Sequence, residues 1–216
     1  MSDFNTALEA WMRGDRQQAI QLWQALADGG DARSQYNLGV ILDSGDGVER
    51  DPALAVQYYR QAAEQGFADA AFNLAVILDA GDGVPVDQAE AARWFWVAAE
   101  KGNPQAAFKL GLMYDTGEGL PPDEEQAARW YYRAAEAGHA EAANNLARCF
   151  ALGTGVERSD VEAYKWYNIA AELGLVNAVR YRERVAKELQ PEERLRAGEY
   201  SQAWLKRFRE RQKQRD

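Results

Sequence analysis

Apolar and polar positions recur with a period of 36 from residue 31 to residue 174. Residues 31–66, 67–102, 103–138 and 139–174 align without a gap, each closing on a glycine: Gly66, Gly102, Gly138 and Gly174. Gly30 starts the same series one period earlier. A fixed period of this size is the mark of a stacked repeat array rather than of one globular core. Within the first repeat, Ser34, Gln35, Leu38 and Leu42 fall at helical spacing and predict a helix A over 32–42, buried on that face. The segment Asp43-Ser44-Gly45-Asp46-Gly47-Val48 then predicts a turn, because glycines two apart tolerate positive φ and end the helix. Val48 is placed to plug the gap between the helices. Asp51 stands where an N-cap is needed, and its counterparts Asp87, Asp123 and Ser159 are all good capping residues. Pro52 follows at the first helical position, where its missing N–H costs nothing.

Helix B is expected over 52–65, burying Ala55, Tyr58, Tyr59, Ala62 and Ala63. Trp94, Trp130 and Trp166 continue the Tyr58 column, and Phe95, Tyr131 and Tyr167 continue the Tyr59 column. Alanine beside these large rings is what close helix packing requires. Replacing one such alanine by Leu is expected to overpack the interface at a cost of about 1–3 kcal/mol. Eight of the 36 columns are identical in all four repeats, those headed by Leu38, Gly45, Gly47, Ala55, Ala62, Ala63, Glu64 and Gly66. Seven have a packing or turn reason. The eighth, Glu64 with Glu100, Glu136 and Glu172, points off the buried face; complementing the dipole of the following helix A is the expected reason.

The ends follow the same grammar imperfectly. Residues 3–13 predict a short helix and 16–28 a second one, separated by Gly14 and capped by Asp15, so residues 1–30 read as a degenerate N-terminal repeat. Beyond Gly174, residues 175–189 predict a helix without the double-glycine turn. Gln190-Pro191-Glu192-Glu193 opens another, carrying Leu195, Ala197, Tyr200, Trp204 and Phe208. Residues 175–208 are therefore expected to be C-terminal capping helices. The basic tail 209–216 holds no apolar residue and is expected to fray. The fold class is all-α, a right-handed α-α solenoid of antiparallel helix pairs forming one continuous domain.

The motif resembles the Sel-1-like repeat, a tetratricopeptide-like helix pair with a longer internal turn. It is carried by Ala-Xaa-Xaa-Xaa-Leu-Gly/Ala, then Gly-Xaa-Gly-Val/Leu, then Asp/Ser, then Ala-Xaa-Xaa-Trp/Tyr-Tyr/Phe-Xaa-Xaa-Ala-Ala-Glu-Xaa-Gly. Asn144, in place of the aromatic of Tyr36, Phe72 and Phe108, and Ser159, in place of Asp, are the departures. The chain lacks the cysteine pairs of the disulfide-bearing branch. The resemblance implies an adaptor that assembles protein complexes; bacterial relatives serve in signalling, envelope biogenesis and host interaction, and eukaryotic ones in protein quality control.

Charge narrows the partners. The formal net charge is −9. Residues 1–179 carry 13 Lys+Arg and 27 Asp+Glu, a balance of −14, and residues 180–216 carry 12 and 7, a balance of +5. An acidic body repels phosphate, so nucleic acid is not the expected partner; contact of the basic tail with anionic lipid or nucleic acid is a minor alternative. With one cysteine, Cys149, no intramolecular disulfide forms, which fits a cytoplasmic location, or a periplasmic or secreted one if a signal peptide has been removed. No run of apolar residues is long enough to span a membrane.

Candidate chemistry is sparse. The single histidine, His139, falls at a helix start and is expected to act at that helix end. Cys149 falls in the column of Ile41, Ile77 and Met113 and is expected to be buried. One His and one Cys assemble no triad or zinc cluster, so neither catalytic residues, cofactor nor metal site is expected. The acidic turns lack EF-hand spacing. A partner protein or peptide is the expected ligand. The stripe of helix A opposite its buried face would line the concave surface. It stacks three rows: Tyr36, Phe72, Phe108 and Asn144; Asn37, Asn73, Lys109 and Asn145; Val40, Val76, Leu112 and Arg148. Asparagines offer donor and acceptor to an extended backbone. The aromatic row has the competing reading of packing between adjacent helices. A second possibility is an oligomerisation scaffold using a convex Trp96/Tyr132 patch, whose column also holds Arg60 and Asn168, or the C-terminal helix; the competing reading of the two rings is packing against a neighbouring loop.

Overall fold

The computed structural model describes residues 3–214. They divide into two compact units, Met1–Asn103 and Pro104–Asp216. Every regular element among the described residues is a helix. The first unit holds α1 (Phe4–Met12), α2 (Arg16–Asp28), α3 (Ala32–Ser44), α4 (Pro52–Glu64), α5 (Ala68–Ala80) and α6 (Gln88–Glu100). Each of α1 to α5 packs on its successor, and α3 also touches α5, so helices A neighbour one another. At the N-terminal end Trp23 is the hub, with Phe4 and Trp11 rings at 6.2 and 5.5 Å over a floor of Ala7, Ala10 and Ala19.

The turn grammar holds in the folded chain. Gly45 takes a left-handed φ of 73° and donates its N–H to Ile41 O at 2.8 Å, ending α3. Asp51 N then donates to Leu42 O at 2.9 Å, closing the loop, and Asp87, Asp123 and Ser159 repeat that bond to Leu78, Tyr114 and Phe150. The four capping side chains accept from the N–H three residues on, at 3.0, 2.8, 3.0 and 3.2 Å.

Helix A is 13 residues long and its buried stripe is turned slightly from the expected one. Ser34, Gln35, Leu38, Gly39 and Ile41 are buried, whereas Leu42 is half-buried. A Cβ at Gly39 would lie 2.6 Å from Tyr59 Cδ1, so its absence lets α3 press onto that ring; the second unit's helix over 140–152 keeps the same stripe with Ala147 in that column.

The second unit holds α7 (Pro104–Thr116), α8 (Glu124–Glu136), α9 (Ala140–Leu152), α10 (Asp160–Glu172), α11 (Ala178–Val185) and α12 (Pro191–Lys213). α9, α11 and α12 all pack on α10. The helix expected over 175–189 is shorter. Pro191 holds Gln190 in extended backbone, φ −66° and ψ 154°, and the chain tightens into i→i+3 bonds from Lys187 and Glu188 before it. The last helix is longer than expected, running past Phe208 to Lys213. Arg209, Glu210, Arg211 and Gln212 are good helix formers, and Arg211 and Lys213 complement the dipole of its last turn. Residues 215–216 of the expected fraying tail lie outside the described residues.

Candidate functional site

The side chains of the helix A stripe divide by what they touch. The aromatic row is engaged within each unit. Tyr36 lies 6.1 Å from Tyr59 and 5.0 Å from Phe67 between ring centroids. Phe72 meets Phe95 at 5.9 Å. Phe108 meets Tyr131 at 6.1 Å and stacks on His139 at 4.4 Å. Each is a half-buried wedge between the helix B ring of its own repeat and, in two cases, the residue that opens the next helix A. Asn144, which replaces the ring, leaves a buried Oδ1 without a hydrogen-bond partner among the described residues.

The asparagine row differs in the residue that stands 14 positions earlier in the chain on helix B. Asn73 donates its amide to the Tyr59 hydroxyl at 3.3 Å, whereas the Tyr131 hydroxyl, in the same place relative to Asn145, donates to Asp115 at 3.2 Å. The residues equivalent to Tyr59 for Asn37 and Lys109 are Trp23 and Phe95, which carry no hydroxyl. Burial pushes the phenols of Tyr59 and Tyr131 far above their usual range, so both stay neutral hydrogen-bonding groups.

The third row is the outermost. Val40 and Val76 are 37% and 38% exposed, Leu112 is half-buried, and Arg148 pairs with the Asp115 carboxylate. Asp115 also accepts from the Tyr131 hydroxyl at 3.2 Å, so the row ends in a polar knot in the second unit. On that face a cavity of about 660 Å³ opens between α9, α10 and α11, lined by Asn144, Asn145, Arg148, Leu152 and the stacked rings of Tyr167 and Tyr181.

On the helix B side, Trp96 and Tyr132 are 52% and 48% exposed. Tyr132 rests edge-on against Trp166 at 5.8 Å. Their column does not stay polar and open at its other members. Arg60 pairs with Glu90. Asn168 is buried, because α12 crosses it: its Nδ2 donates to Ser201 Oγ at 2.7 Å, and Arg182 donates to its Oδ1 at 2.7 Å. Sequence reasoning missed Ser201 and Arg182 as partners. The signal for the former lay in the α12 stripe 197–201–204–205, where a serine stands among apolar positions.

His139 is the N-cap of α9, its Nδ1 accepting from Ala142 N at 3.3 Å, with burial lowering its pKa. Cys149 is buried as expected of its column, and burial raises its thiol pKa. The acidic turns are held by arginine: Arg50 bridges Asp43 and Asp82, and Arg16 lies 3.5 Å from Asp46. Among the described residues no three His, Cys, Asp or Glu side chains are grouped to hold a metal ion. No helix among them is long and apolar enough to cross a membrane.

The repeat model described as "Sel1 repeat" matches residues 10–31, 32–67, 68–103, 104–139 and 140–175. The structure is similar to that of a Sel1 repeat protein from Oxalobacter formigenes, at 26% identity and a TM-score of 0.75, covering 99% of this chain and 100% of that one. It is also similar to a protective antigen of uropathogenic Escherichia coli that displays this repeat fold, at 27% identity and a TM-score of 0.58. The match covers 96% of this chain and 54% of that one, so the chain spans about half the length of that antigen. No curated protein sequence matches the chain.

Proposed function

The chain belongs to the Sel1 repeat family, whose members mediate protein–protein interaction, and we propose that it is a non-enzymatic adaptor binding a partner protein or peptide along the concave helix A stripe. The observation that supports this most is the exposure of Val40 and Val76, one repeat apart at equivalent positions, next to Asn37 and Asn73. These four residues in the first unit offer apolar contact beside amides able to pair with a peptide backbone. In the second unit Leu112, Asn145 and Arg148 take the same places, and the cavity beside Asn145 is large enough for side chains of a ligand.

The aromatic row supports the surface rather than forming its contact face. Tyr36, Phe72 and Phe108 set the spacing of the helices and thereby the positions of the other two rows. The test is affinity capture with wild type and a Val40→Glu/Val76→Glu variant of equal melting temperature. A partner recovered by the wild type should be lost by the variant; equal recovery would count against this face.

A further inference from the structure

Residue by residue, the docking of α12 engages two members of the invariant glutamate column, Glu136 and Glu172. Trp204 Nε1 donates to Glu136 Oε1 at 2.6 Å, and its indole meets Trp166 edge-on at 6.0 Å. Phe208 stacks on Trp204 at 5.0 Å and lies over Gly138, where a Cβ would come within 2.3 Å of its ring. One repeat further along, Arg209 reaches Glu172 at 3.7 Å. Two successive members of the glutamate column thus receive one basic, aromatic helix, with Trp166 and Ile169 sealed beneath it and Asn168 beneath Ser201.

The same receptor chemistry stands two repeats earlier, wholly inside the first unit. The equivalents of Glu136, Gly138, Trp166, Asn168, Ile169 and Glu172 are Glu64, Gly66, Trp94, Trp96, Val97 and Glu100. Here the surface is open. Trp96 is 52% exposed where Asn168 is 7%, Glu64 is exposed, and Trp94 and Val97 are half-buried where Trp166 and Ile169 are 1% and 0% exposed. Over Gly66 stands only the flexible amine of Lys101, 4.0 Å from where a Cβ would be. Charge favours a cationic guest: residues 1–103 carry 7 Lys+Arg and 16 Asp+Glu, a balance of −9, whereas α12 carries 7 and 4, a balance of +3.

We infer that the helix B face around Glu64, Trp94 and Trp96 is a second docking site, for a basic amphipathic helix of a partner protein. The helix carries a tryptophan on its apolar face. Its indole N–H donates to Glu64 and its ring packs on Trp94 and Trp96, as the α12 tryptophan does with Glu136 and Trp166 in the second unit. This face is separate from the helix A stripe, so its failure leaves the adaptor reading untouched.

A labelled peptide of residues 190–214 is a direct probe, because in the full chain the α10 surface already holds its own α12. Fluorescence anisotropy with the full chain should show saturable binding. Trp96→Ala or Glu64→Lys in the chain, or Trp204→Ala in the peptide, should each weaken it about tenfold or more. No saturable binding overturns the proposal. So does binding that Trp96→Ala leaves within about tenfold of wild type, since the peptide would then be exchanging with α12. Sedimentation velocity of the chain alone covers the remaining occupant: a dimer abolished by Trp96→Ala would assign the face to a second copy and overturn the partner reading.

Discussion

The imidazole of His139 stacks on the ring of Phe108 at 4.4 Å while its Nδ1 accepts the Ala142 N–H and caps α9. One side chain therefore joins two consecutive helices A and terminates one of them. The cap needs a neutral Nδ1. Burial lowers the His139 pKa, with Glu141 opposing, so folding favours the neutral ring. Its stabilisation is complete above the unfolded pKa of about 6.5 and fades as pH falls through the lower folded value. Melting curves between about pH 8 and about pH 5 should fall more steeply for wild type than for His139→Asn, which caps without titrating. Parallel curves would remove His139 from this role.

Gly39 and Gly198 should respond oppositely to alanine. At Gly39 a Cβ meets the buried Tyr59 ring at 2.6 Å, so Gly39→Ala is expected to cost about 1–3 kcal/mol in denaturant unfolding. At Gly198, inside α12, nothing lies within 4 Å, and Gly198→Ala is expected to add about 0.5–1 kcal/mol through lower chain entropy.

How much of this was readable from the chain follows from range. The turns, caps and helix columns are local, fixed by glycines at positive φ and by Asp or Ser three residues before an N–H, and they emerge where the 36-residue period puts them. The half-burial of Leu42 was hidden because it is set by how α3 seats on α4, a contact outside the helix's own spacing. Asn168 was misplaced for the same reason at longer range: its cover, Ser201, is 33 residues away on a helix outside the repeat. Of the candidate surface, the Val40 and Val76 row is as open as its spacing suggests, while the asparagine row is partly taken up by tyrosine hydroxyls that periodicity does not reveal.

Those hydroxyls offer a further test. Tyr59→Phe removes the acceptor of Asn73, and Tyr131→Phe removes a donor to Asp115. Each should cost about 0.5–1.5 kcal/mol in unfolding free energy. The larger cost is expected at Tyr131, because Asp115 is charged and also holds Arg148.

The glutamate column should prove uneven. Glu136→Gln loses the charged acceptor of Trp204 and is expected to lower stability by about 1.5–3 kcal/mol, whereas Glu64→Gln, on an exposed side chain, should change it by less than about 0.5 kcal/mol. Equal losses at both positions would return the column to a helix-dipole role common to all repeats.

Site-specific photo-cross-linking tests the central claim most directly. A benzophenone amino acid is placed singly at Val40, Val76 or Leu112 on the helix A stripe, and at Ala53 or Arg129 on exposed helix B positions. The adaptor reading expects the partner captured by wild type to form adducts from the three stripe positions and from neither control. Adducts confined to Ala53 or Arg129 would contradict it.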